Sequence, residues 1–189
     1  MGITPTRLPE VRLIEPKVFG DTRGYFLEVY NHEKYAAAGI DVTFVQDNHS
    51  FSRHGTLRGL HAQLRKPQGK LIRVIAGRVF DVCVDIRLSS PRFGQWVGVE
   101  LNGDKHQQLY VPPGFAHGFC VLSETAHFLY KCTDIYDPDF ELCIRWDDRD
   151  LGVQWPIADV ELSPRDRAGL SLADARAHLG EYPLYRPTD

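Results

Sequence analysis

The sequence predicts a mainly β fold, antiparallel strands closed into a sandwich or barrel with a few short helices. Three observations carry that prediction. Short runs of alternating apolar and polar residues recur along the chain, Gly, Pro, Asn and Asp separate them, and only two stretches carry helix signals. In VFDVCVDIRL, Phe80, Val82, Val84 and Ile86 face one way and Asp81, Cys83, Asp85 and Arg87 the other, the pattern of a half-buried strand. Similar runs lie at VRLIEP, TFVQDNHS, LRGLHAQL, KLIRVIAG, WVGVEL, QQLYVP, GFCVLS, HFLYKCT and ELCIRW, so at least nine strands are expected. NHEKYAAAG reads as a short helix, with Asn31 as its N-cap and Gly39 as its stop. A second helical region opens after SPRD, where Ser163, Pro164 and Asp166 have the chemistry of N-cap, N1 and N3.

Composition narrows the class. A chain of 189 residues with 43% hydrophobic and 11% aromatic content builds one sizeable core and is short for two domains. The expectation is a single domain over residues 1–189, its core spanning roughly residues 10–170 and its Pro-rich tail EYPLYRPTD loosely ordered. With 22 basic against 25 acidic residues and a net charge of -3, no broad positive field exists to attract nucleic acid. Cys83, Cys120, Cys132 and Cys143 form no CxxC pair and read as reduced packing thiols. The amino terminus lacks a basic start followed by an apolar segment, and no run approaches the roughly 20 apolar residues of a membrane span. A soluble, cytoplasmic protein without membrane contact is expected.

The chemistry-bearing residues cluster in a few segments. His61 and Lys70 share the stretch RGLHAQLRKPQGKL, His117 closes the turn YVPPGFAHGF, and Tyr130 lies on the strand that follows. An imidazole, an ammonium and a phenol on one β scaffold are the parts for taking a proton from beside a carbonyl and returning it elsewhere. His61 is the candidate base and Lys70 the candidate stabiliser of the enolate. Each has an ordinary alternative: a satisfied histidine at a strand end, a solvated lysine beside a glycine, and for Tyr130 a core aromatic sharing parity with Phe128 and Cys132. Arg23 and Arg58 offer guanidinium forks for a diphosphate. Arg58 and His61 are three apart, which on a regular strand sends them to opposite faces, so a bulge at Gly59 is expected. Phe19, Phe26 and Tyr136 are candidates for stacking on a base or packing on a sugar, although core packing is the commoner fate of aromatics.

Taken in order, FGDTRGYFLEVY, FVQDNHS, LRGLHAQ, QGKL, YVPPGFAHGF, FLYKCTDIYDP and LSPRDRAG resemble the motifs of the dTDP-4-dehydrorhamnose 3,5-epimerase family, from Phe19 to Gly169. The resemblance implies a cupin-like jelly roll that uses no metal and no cofactor. It implies a dTDP-linked 4-keto-6-deoxyhexose as substrate, inverted at carbons 3 and 5. It also implies a homodimer whose subunits exchange strands. It assigns the proton donor to Tyr130 and the carboxylate partner of His61 to Asp166. Substrate contacts fall to Glu28, to Gln46, Asp47 and Asn48, to Glu141, and to Arg165, where a lysine is more usual, while the order of His117 after His61 suggests a second, substrate-contacting wall of the site. Ala62 stands where the family usually has an aromatic, which puts fine substrate choice in question, and relatives that invert one carbon form the nearest alternative.

Two readings from other classes compete. A metal-dependent cupin oxygenase needs an HxH pair, a following Glu and a later His, but His61, Ala62 and Gln63 lack two of those ligands. A non-catalytic sugar-binding module would keep Arg23 and Arg58 without requiring a base, an acid and Lys70.

Overall fold

The computed structural model describes residues 1–180; the expectation of a loose tail at EYPLYRPTD lies outside them. Thirteen strands form three sheets. The six-stranded sheet has the order β1 (Gly2–Pro5), β2 (Arg12–Glu15), β10 (Gln108–Val111), β7 (Lys70–Ala76), β12 (Thr125–Cys132) and β5 (Gln46–Arg53). The five-stranded sheet has the order β13 (Glu141–Cys143), β6 (Leu57–Gln63), β11 (Phe115–Val121), β8 (Arg78–Asp85) and β9 (Trp96–Asn102). From β5 to β13 the strands alternate between the two sheets except at β8 and β9, which pair with each other; all named pairings are antiparallel, and the result is the expected jelly roll. β3 (Val18–Asp21) and β4 (Gly24–Leu27) form a separate hairpin.

Three apolar clusters hold these layers. Ile72, Val74, Val79, Cys83, Leu109, Phe115, Phe119 and Phe128 fill the space between the sheets. On the outer face of the five-stranded sheet, Leu60, Val82, Val84, Ile86 and Ile144 are covered by Leu151 and by α3 (Leu172–Leu179). The outer face of the six-stranded sheet is covered at one end by α1 (His32–Ala37), through Tyr35, Ile40, Leu71 and Tyr110. Asn31 caps α1 by accepting the Lys34 N–H, and Gly39 ends it at φ +83, as expected.

Two expectations need correction. β8 is not half-buried: residues 79 and 81–85 are buried on both faces and only Phe80 is intermediate. Its alternation is as expected, but the polar face carrying Asp81 and Asp85 points into the barrel, because the C-terminal segment covers the apolar face. His117 does not end a turn but sits inside β11, whose seven residues are all buried.

The bulge expected at Gly59 is present. His117 pairs with His61 but Phe119 pairs with Arg58, so two steps along β11 match three along β6. Gly59 has φ +113, and a Cβ there would lie 2.6 Å from Gly118 Cα and from the His117 carbonyl oxygen. Only glycine fits a site that needs both that dihedral and that approach.

Candidate active site

Between the sheets lies a cavity of about 340 Å³, open at one end. The bulge turns both Arg58 and His61 toward it. Lys70 opens β7, His117 comes from β11, Tyr130 from β12, Glu141 from β13 and Asp166 from α2 (Pro164–Arg167), and all line the same space. Strand parity delivers Gln46, Asn48 and Ser50 from β5, and Phe128, Tyr130 and Cys132 from β12. His61 and Tyr130 therefore reach the cavity from opposite sheets.

His61 is held by a carboxylate. Its Nε2 lies 2.6 Å from Asp166 Oδ1, which also accepts the Gly59 N–H at 3.2 Å. Ser163 Oγ donates to the other oxygen at 2.7 Å and accepts the Asp166 N–H at 3.1 Å, so Asp166 takes part in the start of α2 and contacts His61 at once. Burial works to raise the Asp166 carboxyl, but the hydrogen bonds from His61, Ser163 and Gly59 win and hold it below the usual aspartate range. The short contact assigns a proton to Nε2, which leaves Nδ1 as the free base, 3.6 Å from Glu141 Oε1.

The remaining ionisable groups are tuned by burial. Burial pushes the Lys70 ammonium down from its ordinary value, opposed by Cys132, Cys83, Glu141 and Asp81. Burial, with Cys132 and Glu141 adding to it, pushes the Tyr130 phenol up to about 12. The Tyr130 phenol thus keeps its proton at neutral pH. Cys143 joins His61 and Asp166 in a cluster whose ligand atoms lie within 4.8 Å, the spacing of a metal site. Burial pushes its thiol up to about 12, however, and both Asp166 oxygens are already engaged by hydrogen bonds, so the donor set suits a histidine dyad better than a metal.

At the mouth, Glu141 accepts the Tyr136 hydroxyl at 2.8 Å and pairs with Arg165, whose guanidinium donates to Tyr136 Oη at 3.1 Å. Gln46 accepts the Tyr136 N–H at 2.8 Å and donates to Asn48 at 3.0 Å. The structure therefore brings together His61, Lys70, Tyr130, Asp166, His117, Arg58, Gln46, Asn48, Glu141, Arg165 and Tyr136. Arg23, Glu28, Asp47, Phe19 and Phe26 do not line this chain's cavity. Arg23 pairs with Asp21, Glu28 with Lys34 and Asp47 with Lys131, while Phe19 and Phe26 are exposed on the hairpin. Sequence reasoning missed Ser50, Gln63, Gln68, Phe119 and Ser163 as wall residues, and Asp81 behind His117. Parity with Asn48 and with His61 was the available signal for Ser50 and Gln63. Ala62 borders the cavity and also belongs to the outer apolar cluster with Leu142.

The sequence pattern that describes dTDP-4-dehydrorhamnose 3,5-epimerases matches residues 5–174. A Pseudomonas aeruginosa protein of that name is 54% identical over 177 residues, covering 93% of this chain and 98% of that protein. The crystal structure of the Legionella pneumophila dTDP-6-deoxy-D-glucose-3,5-epimerase in complex with dTDP-4-keto-L-rhamnose superposes with a TM-score of 0.94 at 50% identity, over 98% of this chain and 99% of that one. A 3'-monoepimerase from Streptomyces bikiniensis, solved in complex with dTDP-quinovose, is similar at 34% identity and a TM-score of 0.86, over 96% of this chain and 92% of that one.

Proposed function

The chain belongs to the dTDP-4-dehydrorhamnose 3,5-epimerase family, and from that premise we infer that it converts dTDP-4-dehydro-6-deoxy-D-glucose to dTDP-4-dehydro-L-rhamnose with the side chains of this cavity. The ketone at carbon 4 acidifies the hydrogens on carbons 3 and 5, and removing either at neutral pH needs a placed base and a charge to hold the enolate oxygen. In a ring with equatorial substituents both hydrogens are axial on one face. A single base below the ring and a single acid above it therefore serve both inversions. We assign the base to His61 with Asp166 behind it, the enolate contact to Lys70, and the returning proton to Tyr130. The observation that carries this assignment is that the His61–Asp166 pair and Tyr130 enter one cavity from facing sheets.

For the nucleotide, Arg58 and Arg165 are the cations nearest the mouth and Tyr136 is the flat surface there. Arg23, Glu28, Phe19 and Phe26 take part only if the β3–β4 hairpin enters a second copy, and we place it there, in a homodimer that exchanges this arm. Its exposure supports the reading: Phe19 and Phe26, cross-strand neighbours, are 53% and 69% accessible and Tyr25 61%, an apolar pair of the kind a partner covers. No helix among the described residues is long and apolar enough to cross a membrane, and we place the reaction in the cytoplasm.

Incubation with dTDP-4-keto-6-deoxyglucose in heavy water, read by NMR at each sugar carbon, tests the function. Deuterium at carbons 3 and 5 is the expected result. Label at one carbon identifies a monoepimerase, and bound substrate without label rejects catalysis.

A further inference from the structure

Asp81 is wholly buried, carries a carboxylate into the barrel, and does not line the cavity. Both its oxygens lie against His117 Nε2, at 2.9 and 3.0 Å, and the Cys83 thiol donates to one of them at 3.8 Å. His117 is the direct cross-strand neighbour of His61. The cavity is thus flanked by two histidines side by side, each backed by a buried acid from a different element, Asp166 on α2 and Asp81 on β8. A buried carboxylate is stable only beside a cation or a full set of donors. The two groups of that kind facing Asp81 are His117, in contact, and Lys70, through space.

We propose that Asp81, which touches no substrate, is a positioning residue of the reaction: it fixes the His117 ring with Nδ1 turned to the cavity and adds buried negative charge that favours the Lys70 ammonium. The proposal rests on the epimerase reading above. If Nε2 of His117 donates to Asp81, Nδ1 is left to accept a hydrogen bond from a sugar hydroxyl, while a ring without Asp81 is free to turn over. Lys70 stands in an interior that disfavours its charge. The titratable groups facing it are Cys132 and Tyr130 from β12, Asp81 and Cys83 from β8, Glu141 from β13, His117 from β11 and His61 from β6. Of the three acids near this floor, Asp166 is committed to His61 and Glu141 to Arg165 and Tyr136. Glu141 and Asp81 both favour the ammonium, and Asp81 is the one of the two wholly buried inside the barrel. Removing it disfavours the ammonium further, so the pH above which Lys70 stops stabilising the enolate moves down.

The test compares wild type with Asp81→Asn, using dTDP-4-keto-6-deoxyglucose and deuterium uptake. The variant is expected to lose about 100-fold in kcat, as when one placed electrostatic group is removed, with KM changed far less. The basic limb of its kcat/KM profile is expected at lower pH than in wild type. A variant with wild-type kcat, or with lowered kcat but an unmoved basic limb, overturns the proposal. Should Asp81→Asn fail to fold, Asp81→Glu keeps the charge and shifts the carboxylate. It is expected to lower kcat while leaving the basic limb in place, and a displaced limb there rejects the charge role. Wild-type protein that takes up no deuterium rejects the epimerase reading itself, whatever the variants do.

Discussion

At the cavity, His61 meets Asp166, His117 meets Asp81, and Glu141 meets Arg165 and Tyr136; in the β3–β4 hairpin, Phe19, Tyr25 and Phe26 lie open to solvent and Asp21 pairs with its near neighbour Arg23. The first region is satisfied within one chain. The second leaves three aromatic rings open to solvent, although both regions carry motifs of the same family. On the proposed function, one active site divides into a part that performs proton chemistry and a part that depends on assembly. Substitutions in the two parts should therefore fail in different ways.

The largest effect is expected at the base. His61→Ala should lower kcat by about 100- to 10,000-fold, the usual worth of a placed general base, while leaving dTDP affinity nearly unchanged. Equal losses in binding and turnover would instead make His61 a binding residue. Tyr130→Phe should lose about 100-fold in inversion yet still exchange deuterium at carbon 3, because His61 can remove a proton that no acid returns from the far face. Loss of exchange together with inversion would show that Tyr130 is needed to abstract the proton as well.

The hairpin sharpens the comparison from its other side. Arg23→Ala should weaken substrate binding about 10-fold, consistent with one charge-assisted contact, and leave the pH profile unchanged. Co-expression of Arg23→Ala with His61→Ala should recover activity if each cavity takes its arm from the partner, since one mixed site then has neither lesion. Recovery no better than either variant alone would place the arm against its own chain.

The smallest expected effect is on stability. The Asp166 carboxyl is held below its ordinary range in the folded protein, so its contribution is fully present above the unfolded-state value near 3.8 and disappears as pH falls through the folded one. Asp166→Asn should destabilise by about 1–3 kcal/mol at pH 7, the range for a hydrogen bond to a charged group, and the gap from wild type should close in acid. A gap that persists in acid would assign the loss to packing rather than to charge.

Much of this was legible in the chain. The Ser163, Pro164, Asp166 start of α2 and the Asn31 cap of α1 are short-range signals and stand where expected. Gly59 announced the bulge because Arg58 and His61 could share a face in no other way. FGDTRGYFLEVY carries a family motif but lacks clean alternation, so the β3–β4 hairpin is not legible as strands in the sequence. β8 misled in one respect: alternation identified its two faces but not the direction of either.

The sequence by itself determined most of the strands, the helix caps, the family motifs and hence the reaction class, because those depend on spacing within a few residues and on side-chain chemistry. Tertiary structure alone decided that the polar face of β8 is interior and that Asp81 stands behind His117 from 36 positions away. A period of two residues is blind to which side of a strand is later covered. Closure of the barrel and the C-terminal layer settle that, by removing both sides from water at once.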